Sequence, residues 1–449
     1  MPKATVTQPV PTPSTVTVIP QSLDSALLAM NEEFCFIERL PGIAILPTPD
    51  DPELHIYSRG EFVQAVCSDR VVKQRNVADA WMKWDKRRKV RNLTYAPGKP
   101  QIYENQLNTW VPSRVTPRKG NVDLWLKYLD HVFESDPSNR EWFVAWLAYQ
   151  FQYPGTKLHT ATLFWSEETG TGKSLFGYVM AELFGAHNFS EISEGDLHGS
   201  FNFWAARKQF IMGEEIKGAN AQRHADALKA IITRKTVTIN TKNTPHYVLP
   251  DCINYFFTSN HATAFYLDDT DRRFFVHRLG NKKLDADYVS RTFRPWLDSG
   301  GYAAILDWLL HVDLTAPVMN GKPFNPFGAA PQTIARKSMI EENREDIDVW
   351  VDGLSLEGGE TFRGTPGWKL ATAEDLFAQF VGAYPKSRIT YKSFVSRLRK
   401  CLPMVRGGNV VDLGGDTQPK RMYCPISRIR DYDGVSVETL KAAYEVGRE

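Results

Sequence analysis

The sequence predicts an α/β protein built on a parallel sheet, and three observations carry that expectation. The run Thr160-Ala161-Thr162-Leu163-Phe164-Trp165 is β-branched and aromatic, as a buried strand should be, and Leu175 to Phe184 follows with helical apolar spacing. Between them stands Ser-Glu-Glu-Thr-Gly-Thr-Gly-Lys-Ser, residues 166–174. Two further short apolar runs, Arg207 to Glu215 and Ile253 to Asn260, end in polar side chains. Strand, glycine loop and helix in this order is the context in which such a loop binds phosphate.

The chemistry of the loop follows from its residue types. Gly170 and Gly172 let backbone N–H groups turn inward, flanked by Thr169, Thr171 and Leu175. The helix beginning near Lys173 directs its positive dipole end toward bound oxyanions, and Lys173 adds a mobile cation. Ser174 supplies a hydroxyl suited to Mg²⁺. The usual first glycine of the eight-residue pattern is replaced by Glu167. The plainer alternative is a helix N-terminus with an ordinary lysine.

A chain of 449 residues has room for two to four domains, and 42% hydrophobic with 24% charged residues is ordinary for globular protein. No apolar run approaches membrane-spanning length and the N-terminus lacks a signal pattern, so a cytoplasmic protein is expected. Cys35, Cys67, Cys252, Cys401 and Cys424 are scattered, without zinc or disulfide spacing. The net charge of +2 conceals an uneven distribution. Residues 70–119 carry net +10 and residues 386–430 net +9, leaving −17 for the rest. Two basic segments around an acidic core point to a polyanion, nucleic acid being the commonest, although either alone is equally a solvated face.

Taken in order, residues 1–21 read as a disordered leader rich in Pro, Thr, Val and Ser. Residues 22–119 read as an α/β region that opens with a helix capped by Ser22 or Asp24 and carries a second helix from Val77 to Val90. Trp81 and Trp84 of that helix are read as core rather than as a base-stacking platform. Tyr103 to Trp110 reads as a turn between strands. Residues 120–154 form a helical collar, with amphipathic helices over Asn121–Phe133 and Pro137–Gln150. Residues 155–320 hold the ATPase core, residues 321–367 a connector and a helix from Thr333 to Asp352, and residues 368–449 a separate module.

Within the core, Glu214 and Glu215 end the second strand. One acid suits the hydration shell of Mg²⁺ and the other the attacking water; Glu214 is assigned to the metal and Glu215 to the water, an order that can be reversed. Thr236–Asn240 and His246–Leu249 alternate as strands around a turn, which places Lys242, with Asn243 and His246, at a hairpin tip suited to a phosphate backbone. Asn260 ends the third strand, where an amide can orient water or sense a γ-phosphate. Arg272 and Arg273 precede the strand Phe274–Leu279 and fit a finger reaching a neighbouring subunit's nucleotide.

By order and spacing, residues 155–280 resemble the superfamily 3 helicases of small DNA viruses, poxvirus-type primase–helicases, and phage or mobile-element replication proteins. The resemblance rests on Gly170–Ser174, Glu214-Glu215, Lys242, Asn260 and Arg272-Arg273, and extends to the helices Trp146–Pro154 and Gly300–Leu310 of the phage branch. It implies a P-loop, AAA+-like fold and an ATP- and Mg²⁺-dependent ring, usually a hexamer, that moves 3′ to 5′ along single-stranded DNA. Carried over by position, Lys173 contacts the β and γ phosphates, Ser174 and Glu214 the metal, and Lys242 the DNA. Asn260 is the first sensor and Arg273, with Arg272 in reserve, the finger. The Glu167 departure leaves the loop's shape open.

In the last module, Thr372 caps a helix bearing Leu376, Phe377 and Phe380, and Thr390 opens a helix bearing Lys392, Arg397, Arg399 and Lys400. Val405–Leu413 and Arg421–Ile426, joined at Gly414-Gly415, then read as a wing, giving a winged-helix-like module or a common small core. The expectation is a phage-type replicative DNA helicase, with any primase or polymerase on a separate chain. The alternatives are an ATP-gated origin-binding initiator, a packaging ATPase and a small-molecule kinase.

Overall fold

The computed structural model describes residues 22–199, 201–215, 228–240, 247–267, 271–344, 346–355, 370–402, 404–405, 410–413, 418–424 and 426–446. The leader, the hairpin tip with Lys242, Asn243 and His246, and Gly414-Gly415 lie outside the described residues. The chain divides into two compact units, the first ending at Met339 and the second beginning at Ile340.

At the centre of the first unit is a parallel sheet. In chain order its region contains β1 (Ala161–Trp165), β2 (Phe189–Ile192), β3 (Phe210–Gly213), the antiparallel pair β4 (Thr236–Ile239) and β5 (Tyr247–Pro250), β6 (Asn254–Ser259) and β7 (Phe274–Arg278). The sheet order is β2-β3-β6-β1-β7, every neighbour parallel. The β4–β5 hairpin is therefore an insertion between β3 and β6. Strands β1, β3 and β6 are buried along their whole length, as a parallel sheet covered on both faces requires.

Helices α1 (Asp123–Val132), α2 (Arg140–Gln152), α3 (Lys173–Phe184) and α4 (Tyr302–Leu310) contribute to one aromatic-rich core with the sheet. Phe143 meets Phe164 at 4.9 Å between ring centres, Phe176 meets Phe256 at 4.5 Å, and Trp142 stacks on Phe275 at 4.7 Å. Contacts of this kind add to the area they bury. At Gly177 of α3 an added Cβ would lie 2.2 Å from Met212 Sδ of β3, so the helix rests on the strand with no room for a methyl group.

Ahead of this core, Ser22 caps the helix Leu23–Glu33 in a capping box with Ser25. The helix expected over Val77–Val90 stops at Lys83. The reason is long-range: Asn31 Oδ1 accepts from the Trp81 indole N–H (2.9 Å) and from the Arg88 backbone N–H (2.6 Å). Lys89-Val90 then leaves the helical path and pairs in parallel with Phe36-Ile37. Trp81 is fully buried and Trp84 half-buried. Much of the basic run is compensated within the fold, Arg70 pairing with Glu33, Lys83 with Asp79, Arg88 with Glu32 and Lys89 with Glu38. Glu104 and Asn105, at φ 50° and 57°, make the turn between strands Ile102–Tyr103 and Gln106–Asn108.

The single helix expected over Thr333–Asp352 is two, α5 (Ile334–Glu342) and α6 (Asp346–Ser355). Asp346 and Asp348 in the first turn of α6 favour a fresh helix start, and the Arg344 side chain bonds to Asp352. Helix α6 belongs to the second unit, where Ile347, Trp350, Val351 and Leu354 pack with α7 (Ala373–Ala383) and α8 (Tyr391–Cys401). Thr372 caps α7 and Thr390 caps α8. Arg397 is not part of a free basic face, because it forms two hydrogen bonds with Asp348 at 2.9 and 2.6 Å. Lys392, Arg399 and Lys400 are exposed. Around the segments read as a wing there are two isolated bridges among the described residues, Val411 with Lys420 and Met404 with Tyr423, while Met422–Tyr423 pairs with Ala371–Thr372. All five cysteines are free, and among the described residues no helix is long and apolar enough to cross a membrane.

One buried histidine gives the first unit an acid-sensitive point. His277 of β7 donates from Nε2 to the Val132 carbonyl (2.9 Å), and its Nδ1 has no partner among the described residues. Burial pulls its pKa down to about 4. Above pH 6.5 the ring is neutral folded or unfolded; below it only the unfolded chain takes up the proton, so stability falls with pH until about 4. Between pH 7 and pH 5 this group is expected to remove roughly 2 kcal/mol. Urea unfolding at the two pH values should show that loss in the native chain and a smaller one in His277→Asn; equal losses would assign the acid sensitivity elsewhere.

Candidate functional site

The loops leaving the carboxyl ends of β1, β3 and β6 meet in a cleft of about 350 Å³. This is where ligands bind in open α/β sheets. The sequence-predicted residues Thr169, Gly170, Thr171, Gly172, Lys173, Ser174, Leu175, Glu214, Glu215 and Asn260 all line it. Arg272 and Arg273 do not.

Gly170 and Gly172 adopt φ of +75° and +105°, the left-handed region that glycine enters without strain. Gly172 is the N-cap of α3 and provides no side-chain cap, so the first N–H groups of the helix are left for an incoming acceptor. The loop is held from outside. The Tyr128 hydroxyl of α1 donates to the Gly172 carbonyl (3.0 Å) and His131 Nε2 to the Thr171 carbonyl (3.2 Å). The Leu284 N–H donates to the Gly170 carbonyl (2.9 Å).

Lys173 is buried, and its ammonium folds back on the loop to the Ser166 hydroxyl, the Glu168 carbonyl (3.3 Å) and Thr171 Oγ1 (3.4 Å). Burial lowers its pKa to about 8, with Glu215 acting in the opposite direction. These oxygens occupy the donors that phosphate oxygens can take over. The Ser174 hydroxyl donates to the Glu214 carboxylate, so two hard oxygen ligands already touch across α3 and β3. Mg²⁺ needs only one or two such protein ligands beside substrate phosphates and water, so these residues fit it. Among the described residues there is no cluster of three or more His, Cys, Asp or Glu that would hold a metal by itself.

Glu215 stands in the left-handed region at φ 51°, a costly conformation for a non-glycine residue that recurs at functional positions. Asn260 Oδ1 is buried and has no hydrogen-bond partner among the described residues. Glu191 of β2 hydrogen-bonds Glu214, and burial followed by that neighbour raises its carboxyl pKa. The cleft's other end is apolar, with Tyr178, Leu284, Ala286 and Val289, and Arg294 stands over the Tyr178 ring at 5.7 Å.

Arg272 and Arg273 lie at the amino end of β7, which pairs with the amino end of β1 (Ala161 opposite Phe274). That is the opposite sheet edge from the cleft, so neither arginine serves its own chain's cleft. Arg272 is exposed and Arg273 half-buried.

Sequence reasoning missed the partners that explain Glu167. Its carboxylate meets Arg278 at 2.9 Å, and Arg278 lies over the Trp165 ring at 5.0 Å. Glu168 pairs with Lys283 (3.6 Å). The loop's acidic start is thus bound to the last residue of β7 and the segment after it, over a hundred residues away, which no local pattern reveals. Tyr128, His131, Glu191, Tyr178 and Arg294 escaped notice for the same reason. So did Phe201 and Phe203, exposed aromatics flanking Asn202, which bonds to Thr238 and Asn240 at the hairpin.

The Glu167–Arg278 pair is largely exposed, and such pairs contribute about 0–1 kcal/mol. Glu167→Gly is therefore expected to change unfolding free energy by less than about 1 kcal/mol, and titration calorimetry with ATP on the native chain and the variant tests the loop itself. A loss of binding with normal stability would show that the pair holds the loop in its working shape.

Comparison with known proteins places this cleft in a wider group. Residues 164–273 match a family of unknown function (DUF5906). Over 197 residues the chain is 28% identical to the DNA primase-polymerase of Nitratiruptor phage NrS-1, covering 42% of this chain and 27% of that protein. It thus spans about a quarter of that relative's length. Its fold is similar to solved apo structures of the NrS-1 C-terminal region. One has a TM-score of 0.67 at 18% identity, covering 91% of this chain and all of the other, and an A-form structure has a TM-score of 0.65 at 18% identity over the same shares.

Proposed function

We propose that the protein is an ATP-driven DNA helicase of phage-type replication, working as a ring, usually of six copies, around single-stranded DNA in the host cytoplasm. The observation that carries this reading is the single cleft that unites Gly170–Ser174, Glu214-Glu215 and Asn260, in a domain with a hairpin inserted between two of its strands. Similarity to part of a phage DNA primase-polymerase supports the replication context.

In this reading the N–H groups of the loop and of the α3 N-terminus hold the triphosphate, and Lys173 turns from Ser166 to the β and γ phosphates. Ser174 and Glu214 would hold Mg²⁺, which supplies charge neutralisation on the phosphates. Glu215 takes the proton of the attacking water, and the unpaired Asn260 amide orients that water or the γ-phosphate. Because Arg272 and Arg273 lie at the far edge of their own sheet, they complete the site of a neighbouring copy, Arg273 first. Hydrolysis then moves the hairpins along the strand, and Lys242, Asn243 and His246, from the sequence that joins β4 to β5, would contact it. The N-terminal region forms a collar, and the second unit, read as a winged-helix-like module, recruits DNA through Lys392, Arg399 and Lys400. A separate primase or polymerase would supply primers.

Steady-state hydrolysis with and without single-stranded DNA tests this. The native chain is expected to hydrolyse ATP faster with DNA, and Lys242→Ala to lose that stimulation. Glu215→Gln is expected to lower kcat by about 10²–10⁴-fold, the usual size of a general-base contribution, with KM little changed. Native mass with and without ATP, paired with strand displacement on forked DNA, checks the ring. Hydrolysis indifferent to DNA, with no displacement, would overturn the helicase reading.

A further inference from the structure

At the amino edge of the sheet, away from the cleft, two buried carboxylates tie the hairpin stem to the core. Asp251, directly after β5, is held by Lys157 (2.8 Å) and by Arg234, two residues before β4. The Asp251 N–H also donates to the Lys235 carbonyl (3.0 Å). Both legs of the stem are thus fixed to each other at their base. The helical stretch 228–233 leads straight into Arg234, so it and the stem form one connected piece.

The second carboxylate joins that piece to the arginine pair. Asp271 has a fully buried side chain, and the Lys229 ammonium, within 228–233, lies 3.3 Å from its Oδ2 as an ion pair without hydrogen-bond alignment. Its Oδ1 accepts the Arg273 backbone N–H at 2.8 Å. The same short segment is fixed on its other side: the Asp271 carbonyl accepts from the Arg336 guanidinium, and the Arg272 carbonyl from the Ala330 N–H (2.8 Å). One carboxylate therefore touches both the piece that carries the hairpin and the peptide that carries Arg273.

We infer that the Lys229–Asp271 ion pair couples the hairpin to the arginine pair, so that DNA held at the hairpin changes the placement of Arg273 in the neighbouring copy's site. The inference rests on the helicase reading and deepens it by naming the link between its two halves. A buried charge cannot be left unpaired cheaply, so a displaced Lys229 draws Asp271, and the Arg273 peptide, with it. Coupling of this kind is reciprocal: the hairpin's grip on DNA depends on whether Arg273 is engaged. Lys229 and Asp271 are positioning residues and touch no substrate.

The test uses the full chain and compares ATP hydrolysis alone and with saturating oligothymidine in the native protein, Lys229→Met and Lys229→Arg, with melting temperature measured on each. In Lys229→Met the ratio of DNA-stimulated to basal kcat is expected to fall by at least about fivefold, the lower range of typical coupling. Its basal kcat and its KM for ATP should stay near native. Lys229→Arg keeps the ion pair and should keep the ratio. A native ratio in Lys229→Met overturns the inference and leaves the helicase reading standing. A fall in basal kcat as large as the fall in stimulated kcat, or loss of stimulation in Lys229→Arg as well, reduces the pair to a structural role and also overturns it; a lower melting temperature alone is expected from the unpaired Asp271. A native protein indifferent to oligothymidine removes the helicase reading and this inference together.

Discussion

The common direction of the five strands is the constraint on which the rest depends. Parallel strands buried on both faces must be joined by crossovers, which gathers their carboxyl ends along one edge and their amino ends along the other. The two edges then acquire different chemistry. At the carboxyl edge the fold tolerates costs: a desolvated Lys173, a left-handed Glu215 and an unpartnered Asn260 oxygen. At the amino edge the buried charges of Asp251 and Asp271 are paired. A desolvated ammonium and an unpartnered amide oxygen facing one cleft are what a ligand's own polar atoms can satisfy.

Charge along the chain is a poorer guide than charge in the fold. The basic stretch 70–119 carries net +10 in sequence, yet Arg70, Lys83, Arg88 and Lys89 meet carboxylates. In the second unit the helix Tyr391–Cys401 divides its cations between uses, with Arg397 locked to Asp348 and Lys392, Arg399 and Lys400 turned to solvent. A count of lysines and arginines locates candidate surfaces; the acids that fold next to them decide how much field remains.

What could be read from the sequence was what is decided locally. Strands β1, β3 and β6, the glycines with positive φ and the caps Ser22, Thr372 and Thr390 are each specified by a handful of adjacent residues. Misreadings arose where a distant group overrides local preference. Val77–Val90 has helical spacing, but Asn31 captures Arg88 and ends the helix early. Thr333–Asp352 looks continuous, but Thr333 and Arg336 bond to Val276 and Asp271, whereas Ile347, Trp350, Val351 and Leu354 pack in the core of the second unit. Glu167 looked anomalous because Arg278, its partner, stands 111 positions later. The cleft residues were legible as a set, whereas Tyr128, His131 and Glu191, which surround them, were not.

The absence of a side chain at Gly177 has a mechanical consequence. With no Cβ at Gly177, helix α3 packs directly on the Met212 side chain of strand β3. Ser174 lies at the head of that helix and Glu214 one residue beyond that strand. The Ser174 and Glu214 oxygens are therefore carried by one closely packed helix–strand pair. The opposite wall of the cleft has no such backing, since Leu284, Ala286 and Arg294 stand on separate segments beyond β7.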